Sequence, residues 1–224
     1  VNSKENQGGH MAKGSSFERE ICKQLSLWWT EGKRDDVFWR TSTSGGRATQ
    51  RSKFGQSTFG QYGDVQATDP IGQLLVDTFT IELKRGYSKS TFFDMFDKPD
   101  TAAQQMWDQF LCQVLKDTKD AESLFWMLIV KRDRRNAVVM VPFSFAQRIP
   151  ELKSIPHSRG IVKLKNGCKI RFYLTKLDQF LINVLPNDVK EICNWTKFKI
   201  PSNATPSDIK NRRKQIIVRR KKND

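Results

Sequence analysis

Residues 124–130, LFWMLIV, form an unbroken apolar run. A run of this length and kind is the signature of a β-strand covered on both faces, so the chain must place further layers on each side of its sheet. The segment NAVVMV (136–141) follows across the polar turn Lys131–Arg135 and is expected to pair with that strand as a hairpin. A third segment, TFTIELKRGY (78–87), also reads as a strand, but a different one. Phe79, Ile81 and Leu83 alternate with Thr80, Glu82 and Lys84. Side chains of a strand alternate faces, so Glu82 and Lys84 project from one side, opposite an apolar side fit for a core. A strand with one wet face often carries such a pair for solubility alone, where it contributes little.

The remaining elements follow from period and punctuation. Residues 15–30 read as a helix, with Phe17, Ile21, Leu25 and Trp28 on one face and capping-box spacing between Ser15 and Glu18. DVFWRT (36–41) reads as a short strand, and the Gly-, Ser- and Gln-rich stretch after it as a long loop. GDVQAT (63–68) reads as a second strand, an antiparallel neighbour of the third across the turn Asp69-Pro70-Ile71-Gly72. Pro99 opens a helix over about 99–118, with Trp107, Phe110, Leu111 and Val114 in register. The order is α-β-β-β-α-β-β, an α/β sandwich around a mixed central sheet with a C-terminal extension. Past Pro142 come a short helix, a hairpin through Asn166-Gly167 and helical pieces over 177–195. The expected division is a tag or disordered leader over 1–10 with Met11 as the native start, a core over 11–142, an α+β extension over 143–209 and a basic tail over 210–224.

Charge narrows the function. With 39 Lys and Arg against 24 Asp and Glu, the net charge of +15 calls for a polyanionic partner, nucleic acid or an anionic surface. The tail alone holds eight basic residues and one acidic, including Arg212, Arg213, Arg219 and Arg220, and reads as a solvated tail, a nucleic-acid clamp or a surface anchor. No apolar run is long enough to span a bilayer, and no lipidation signal supports membrane attachment. Cys22, Cys112, Cys168 and Cys193 lack metal-site spacing, which fits a reduced, cytoplasmic setting rather than a disulfide scaffold. Only His157 remains outside the leader, a poor basis for histidine general-base chemistry.

Asp64 and Glu82, on neighbouring strands, can lie together on one face. Two such carboxylates repel unless a cation sits between them. Mg²⁺ takes oxygen ligands of this kind, keeps several waters and accepts substrate phosphate, and the Leu83 carbonyl is a further candidate ligand. Lys84 beside that metal can hold the attacking water and stabilise charge building on phosphorus. Asp64 after Gly63 also suits a simple turn, and a capping box is the competing role for Glu18.

Gly63-Asp64 and Glu82-Leu83-Lys84 resemble the two signature elements of the PD-(D/E)XK nuclease superfamily. Lys13-Gly14-Ser15-Ser16-Phe17-Glu18-Arg19-Glu20 and WRTSTSGG (39–46) are similar to segments of the archaeal-type Holliday junction resolvases. The resemblance covers about residues 13–141. It implies a restriction-endonuclease-like core, Mg²⁺ with Mn²⁺ able to substitute, and Glu18 as a further active-site carboxylate. It also implies that Arg40 with Ser42 or Ser44 contacts the scissile phosphate region, and that the protein works as a homodimer on branched or duplex DNA. Lys13 and Arg85 flank these motifs and join the expected DNA-binding set. So do Arg47, Arg51 and Lys53 of the 44–63 loop, which interleaves its cations with Phe54, Phe59 and Tyr62 and has no acidic residue before Asp64. The function read from the sequence is thus a Mg²⁺-dependent, structure-selective DNA endonuclease of recombination or repair. It would be nucleoid-associated, or act in a host cytoplasm if of phage origin. The alternatives are a restriction-like or repair endonuclease or exonuclease of the same superfamily, and a non-catalytic basic DNA-binding protein. Against the exonuclease, no Tyr completes a Gln-x-x-x-Tyr motif after Gln104, Gln105 or Gln109.

Overall fold

The computed structural model describes residues 7–41, 62–97, 99 and 103–197, with the backbone alone for 7–13 and 195–197. Helix α1 (Gln7–Trp29) leads into strand β1 (Phe38–Arg40). Strand β2 (Val65–Ala67), a 3₁₀ turn (Pro70–Gly72) and helix α2 (Gln73–Thr78) then deliver the chain to strand β3 (Phe79–Arg85). Next come helix α3 (Asp94–Asp97), helix α4 (Met106–Asp120), strand β4 (Phe125–Lys131) and strand β5 (Val138–Pro142). The chain continues with α5 (Phe143–Ala146), a 3₁₀ turn (Pro150–Lys153), strands β6 (His157–Lys163) and β7 (Lys169–Lys176), and helices α6 (Leu177–Asn183) and α7 (Pro186–Lys197).

The expected α/β architecture around a mixed sheet is present. Five strands lie in the order β3-β4-β5-β7-β6, with β3 and β4 parallel and the other neighbours antiparallel. A parallel pair needs a crossover, and α4 provides it. The hairpin through Asn166-Gly167 is formed by β6 and β7, and β7 pairs with β5 over Val138–Pro142, so the C-terminal extension supplies two of the five strands.

β4 explains its own apolar run. Phe125, Met127 and Ile129 enter a core shared with Phe17, Ile21 and Leu25 of α1, while Trp126, Leu128 and Val130 meet Trp107, Phe110, Leu111 and Val114 of α4. The apolar face of β3, Phe79, Ile81 and Leu83, belongs to the α1 side. Glu82 and Lys84 therefore face α4.

Three expectations need correction. β2 does not form a ladder with β3; it pairs antiparallel with β1, Trp39 opposite Gln66, in a separate two-stranded sheet. A three-residue strand can satisfy one edge with β1, and the residue before it reaches β3 by one backbone bond, Asp64 N–H to the Ile81 carbonyl at 2.8 Å, and one side-chain bond, Leu83 N–H to Asp64 Oδ2 at 2.8 Å. Helix α1 begins upstream of Ser15, so Ser15 and Glu18 are interior and form no capping box; the Ser15 carbonyl accepts from Arg19 Nε at 3.1 Å instead. Helix α4 starts at Met106 rather than Pro99, with Gln105 as its N-cap. The short helix α2 occupies residues that strand-type reasoning left between a turn and β3.

Candidate active site

Gly63 sets the site. Its φ of +74° is cheap only for glycine, and a Cβ there would lie 2.6 Å from the Ile81 carbonyl oxygen. The bare backbone lets residue 64 reach β3. Asp64 then donates its N–H to Ile81 and accepts, through Oδ2, the Leu83 N–H at 2.8 Å. On the other side the Thr41 N–H donates to the Asp64 carbonyl at 3.0 Å, and Thr41 Oγ1 donates to the Gly63 carbonyl at 3.0 Å. Asp64 is thus fixed through backbone and side chain at the free edge of β3.

Glu82 is almost fully covered, 1% exposed, and Asp64 is 7% exposed. The wet strand face expected from alternation does not exist, because α4 lies over it. Lys84 Nζ donates to Glu82 Oε1 in a close ion pair, donates to Gln113 Oε1 at 3.1 Å, and sits 5.5 Å from the centre of the Phe110 ring. Glu18 Oε2 accepts from Arg40 Nη1 at 3.0 Å. Arg40 precedes Thr41, so this pair flanks Asp64 from the α1 side.

Burial governs the electrostatics. Loss of hydration pushes the Asp64 carboxyl up to about 6, opposed by the Leu83 N–H and the Lys84 charge and reinforced by Glu18 and Asp117. Glu82 is pushed up to about 8 by burial and then by the Asp64 charge, against the pull of Lys84. Burial acts to lower Lys84, but the Glu82 charge and hydrogen bond outweigh it and hold the ammonium above its usual range. Asp117 is raised by burial as well. The Cys22 thiol, covered and near Glu18 and Asp64, is pushed up to about 12.

Gln113 and Asp117 were missing from the sequence reading. They lie one helical turn apart on α4, the spacing that puts two side chains on one face, and both act on Lys84. Their signal in the sequence is a polar i,i+4 pair beside the apolar stripe of α4. Gln104 donates to the buried Asp108 carboxylate, whose Oδ1 accepts the Lys165 N–H at 2.8 Å and ties α4 to the β6–β7 turn.

Of the expected site residues, the structure brings Asp64, Glu82, Leu83 and Lys84 together, with Glu18 and Arg40 beside them. Arg85 stands at the end of β3, its guanidinium 5.8 Å from the Phe17 ring centre and Nη1 4.0 Å from Glu20, with Nε buried and unbonded. Ser42, Ser44, Arg47, Arg51, Lys53, Phe54, Phe59, Arg212, Arg213, Arg219 and Arg220, and the side chain of Lys13, lie outside the described residues.

Among the described residues no three His, Cys, Asp or Glu side chains gather into a metal cage. Mg²⁺ does not need one, since one or two carboxylates with waters and substrate phosphate suffice. Asp64 and Glu82 fit that role: two buried carboxylates share one ammonium, and their raised pKa values reflect the cost of ionising both, which a bound cation would relieve.

A family model described as "Phage putative PDDEXK endonuclease" matches residues 9–191. The chain belongs to this family. The match spans Glu18, Asp64, Glu82 and Lys84, and with it the PD-(D/E)XK superfamily resemblance stands, without selecting the resolvases within it. No curated protein and no solved structure matched. Among the described residues no helix is long and apolar enough to cross a membrane.

Proposed function

We propose that this PD-(D/E)XK family member is a divalent-metal-dependent DNA endonuclease whose site is Asp64, Glu82 and Lys84 with Glu18 beside them. The observation that carries this reading is the burial of Asp64 and Glu82 together at the edge of β3, both with raised pKa values and with one ammonium between them and α4.

Asp64 and Glu82 would hold the cation, and the Leu83 carbonyl is a candidate third ligand. When bound, Mg²⁺ or Mn²⁺ supplies positive charge at the phosphoryl oxygens and acidifies a water. The rest is done by the chain. The Leu83 N–H fixes one Asp64 oxygen, so the other lone pairs point in a set direction. Gln113 holds Lys84 Nζ from the α4 side, leaving the ammonium able to turn from Glu82 toward an attacking water or a developing phosphorane oxygen. Arg40, paired with Glu18, would meet a phosphate near the scissile bond.

Selectivity for branched DNA, and a homodimer that sets two sites across a junction, are the finer parts of the proposal. They rest on the resolvase-like segments around Lys13–Glu20 and Trp39–Gly46 and on the basic, aromatic 44–63 loop. Cleavage of matched four-way junction, flap, duplex and single-stranded DNA in Mg²⁺, Mn²⁺ and EDTA tests both levels. Metal-dependent cutting of the junction in preference to duplex is expected. Equal or better cutting of duplex replaces the resolvase reading with a restriction-like one, and no cutting of any form overturns nuclease function.

A further inference from the structure

We propose that the β4–β5 turn, Lys131–Arg135, is a phosphate-binding edge that grips the DNA backbone beside the scissile bond; this rests on the nuclease reading above. The turn carries Lys131, Arg132, Arg134 and Arg135 against the single acid Asp133. It is built onto the catalytic strand. Arg85 of β3 stands opposite Lys131 of β4, and the Gly86 N–H donates to the Lys131 carbonyl at 3.0 Å. Lys84 is opposite Val130, so the turn begins one strand over and one residue beyond the catalytic lysine. Neighbouring strands are about 4.8 Å apart, and successive phosphates of one strand rise about 3.4 Å along the duplex axis. Cations at this position therefore meet phosphates a few nucleotides from the one at Lys84.

Two further observations single out this turn. Lys131 is engaged, its Nζ 3.1 Å from Glu20 Oε1, but among the described residues Arg132, Arg134 and Arg135 form no ion pair. Arg134 and Arg135 are exposed. The backbone is also held in an unfavourable shape, with Arg134 at φ +58° and the Arg135 N–H bonded to the Arg132 carbonyl at 3.1 Å. Glycine or asparagine adopts that left-handed conformation at low cost, whereas an L residue with a long side chain gives up about 1 kcal/mol or more. Glu31 and Glu122, with similar φ, terminate α1 and α4, where such a residue closes the helix. Tyr87, at φ +54°, follows β3 and packs its ring against Phe110, whereas Arg134 terminates no helix and is exposed. The chain keeps a cation where the turn favours glycine, at the rim of the site.

Arg134→Gly separates the two roles, because it suits the backbone and removes only the charge. In EDTA, binding of a labelled linear duplex across a salt series should weaken by about tenfold near 0.1 M salt, with the log–log slope shallower by about 0.9. The thermal midpoint should stay level or rise, and Arg134→Lys should keep the wild-type slope. The triple change Arg132→Ala, Arg134→Gly, Arg135→Ala should flatten the slope by about 2.7. Wild-type affinity and slope in Arg134→Gly overturn the proposal while leaving a wild type that cleaves DNA as a nuclease. Equal losses in the Gly and Lys variants with a lowered midpoint overturn it too, by making the residue structural. A wild type that binds no DNA overturns both this proposal and the nuclease reading.

Discussion

Strands β3 and β4 are parallel neighbours of seven residues each, in full register, and they use the same position in the fold differently. On the α1 side both are apolar up to a terminal cation, Arg85 in β3 and Lys131 in β4, each over the Phe17 ring. On the α4 side β4 presents Trp126, Leu128 and Val130, and directly opposite them β3 presents Thr80, Glu82 and Lys84. Burying a leucine contributes about 1.5–3 kcal/mol. Burying a carboxylate costs several kcal/mol unless it is paired, and Glu82 is only partly compensated by Lys84. One strand of the pair makes the sheet stable, and its neighbour gives up stability to concentrate charge at an open edge.

The largest effect that sharpens this contrast is on chemistry. Asp64→Ala or Glu82→Ala should lower the single-turnover cleavage rate by about a thousandfold or more, while circular dichroism shows the fold intact. Cleavage at the wild-type rate by either variant would remove it from the site. Next, Leu128→Ala in β4 should cost about 2–5 kcal/mol in urea denaturation, whereas Glu82→Leu with Lys84→Met, which replaces the buried pair and makes β3 resemble β4, should hold or raise stability and abolish cleavage. If the double variant destabilises as much as Leu128→Ala, the contrast between the strands is wrong.

A smaller effect comes through pH. Asp64 and Glu82 have folded-state pKa values of about 6 and about 8, above the ordinary carboxylate values of 3.8 and 4.5. Between those limits the folded state binds more protons than the unfolded state, so their contribution to stability is greatest below pH 4 and is lost as pH rises toward 8. In EDTA, Asp64→Asn should therefore raise the thermal midpoint by several degrees at pH 8 and by less at pH 5. A gain that is larger at pH 5 contradicts the assignment. The smallest change is Thr80→Val, which gives up the 3.0 Å bond to Ser123 Oγ for an apolar methyl and should shift stability by less than about 1 kcal/mol.

β3 was legible from its alternation and β4 from its unbroken apolar run, although the polar face of β3 proved to be covered by α4 rather than wet. The approach of Gly63-Asp64 to Glu82 was legible as a motif but not as a pairing. The connection is two hydrogen bonds from one residue, Asp64, to β3, and local pattern does not encode which short strand pairs with which. Ser15-x-x-Glu18 misled for a related reason: the same three-residue spacing occurs at helix starts and in helix interiors, and only the upstream residues decide. Gln113 and Asp117 were hidden because polar residues on an amphipathic helix look solvated until another element, here β3, is laid beneath them.

The place of β7 in the sheet also has a consequence for synthesis. β5 emerges from the ribosome with Val139, Met140 and Val141, all fully covered in the finished fold, and its outer hydrogen-bonding edge is closed only by β7. The end of β7 lies 34 residues later, at Lys176. At about 5–20 residues per second the nascent chain carries an open, apolar sheet edge for some seconds. In that interval the edge of β5 is open to pairing with another chain.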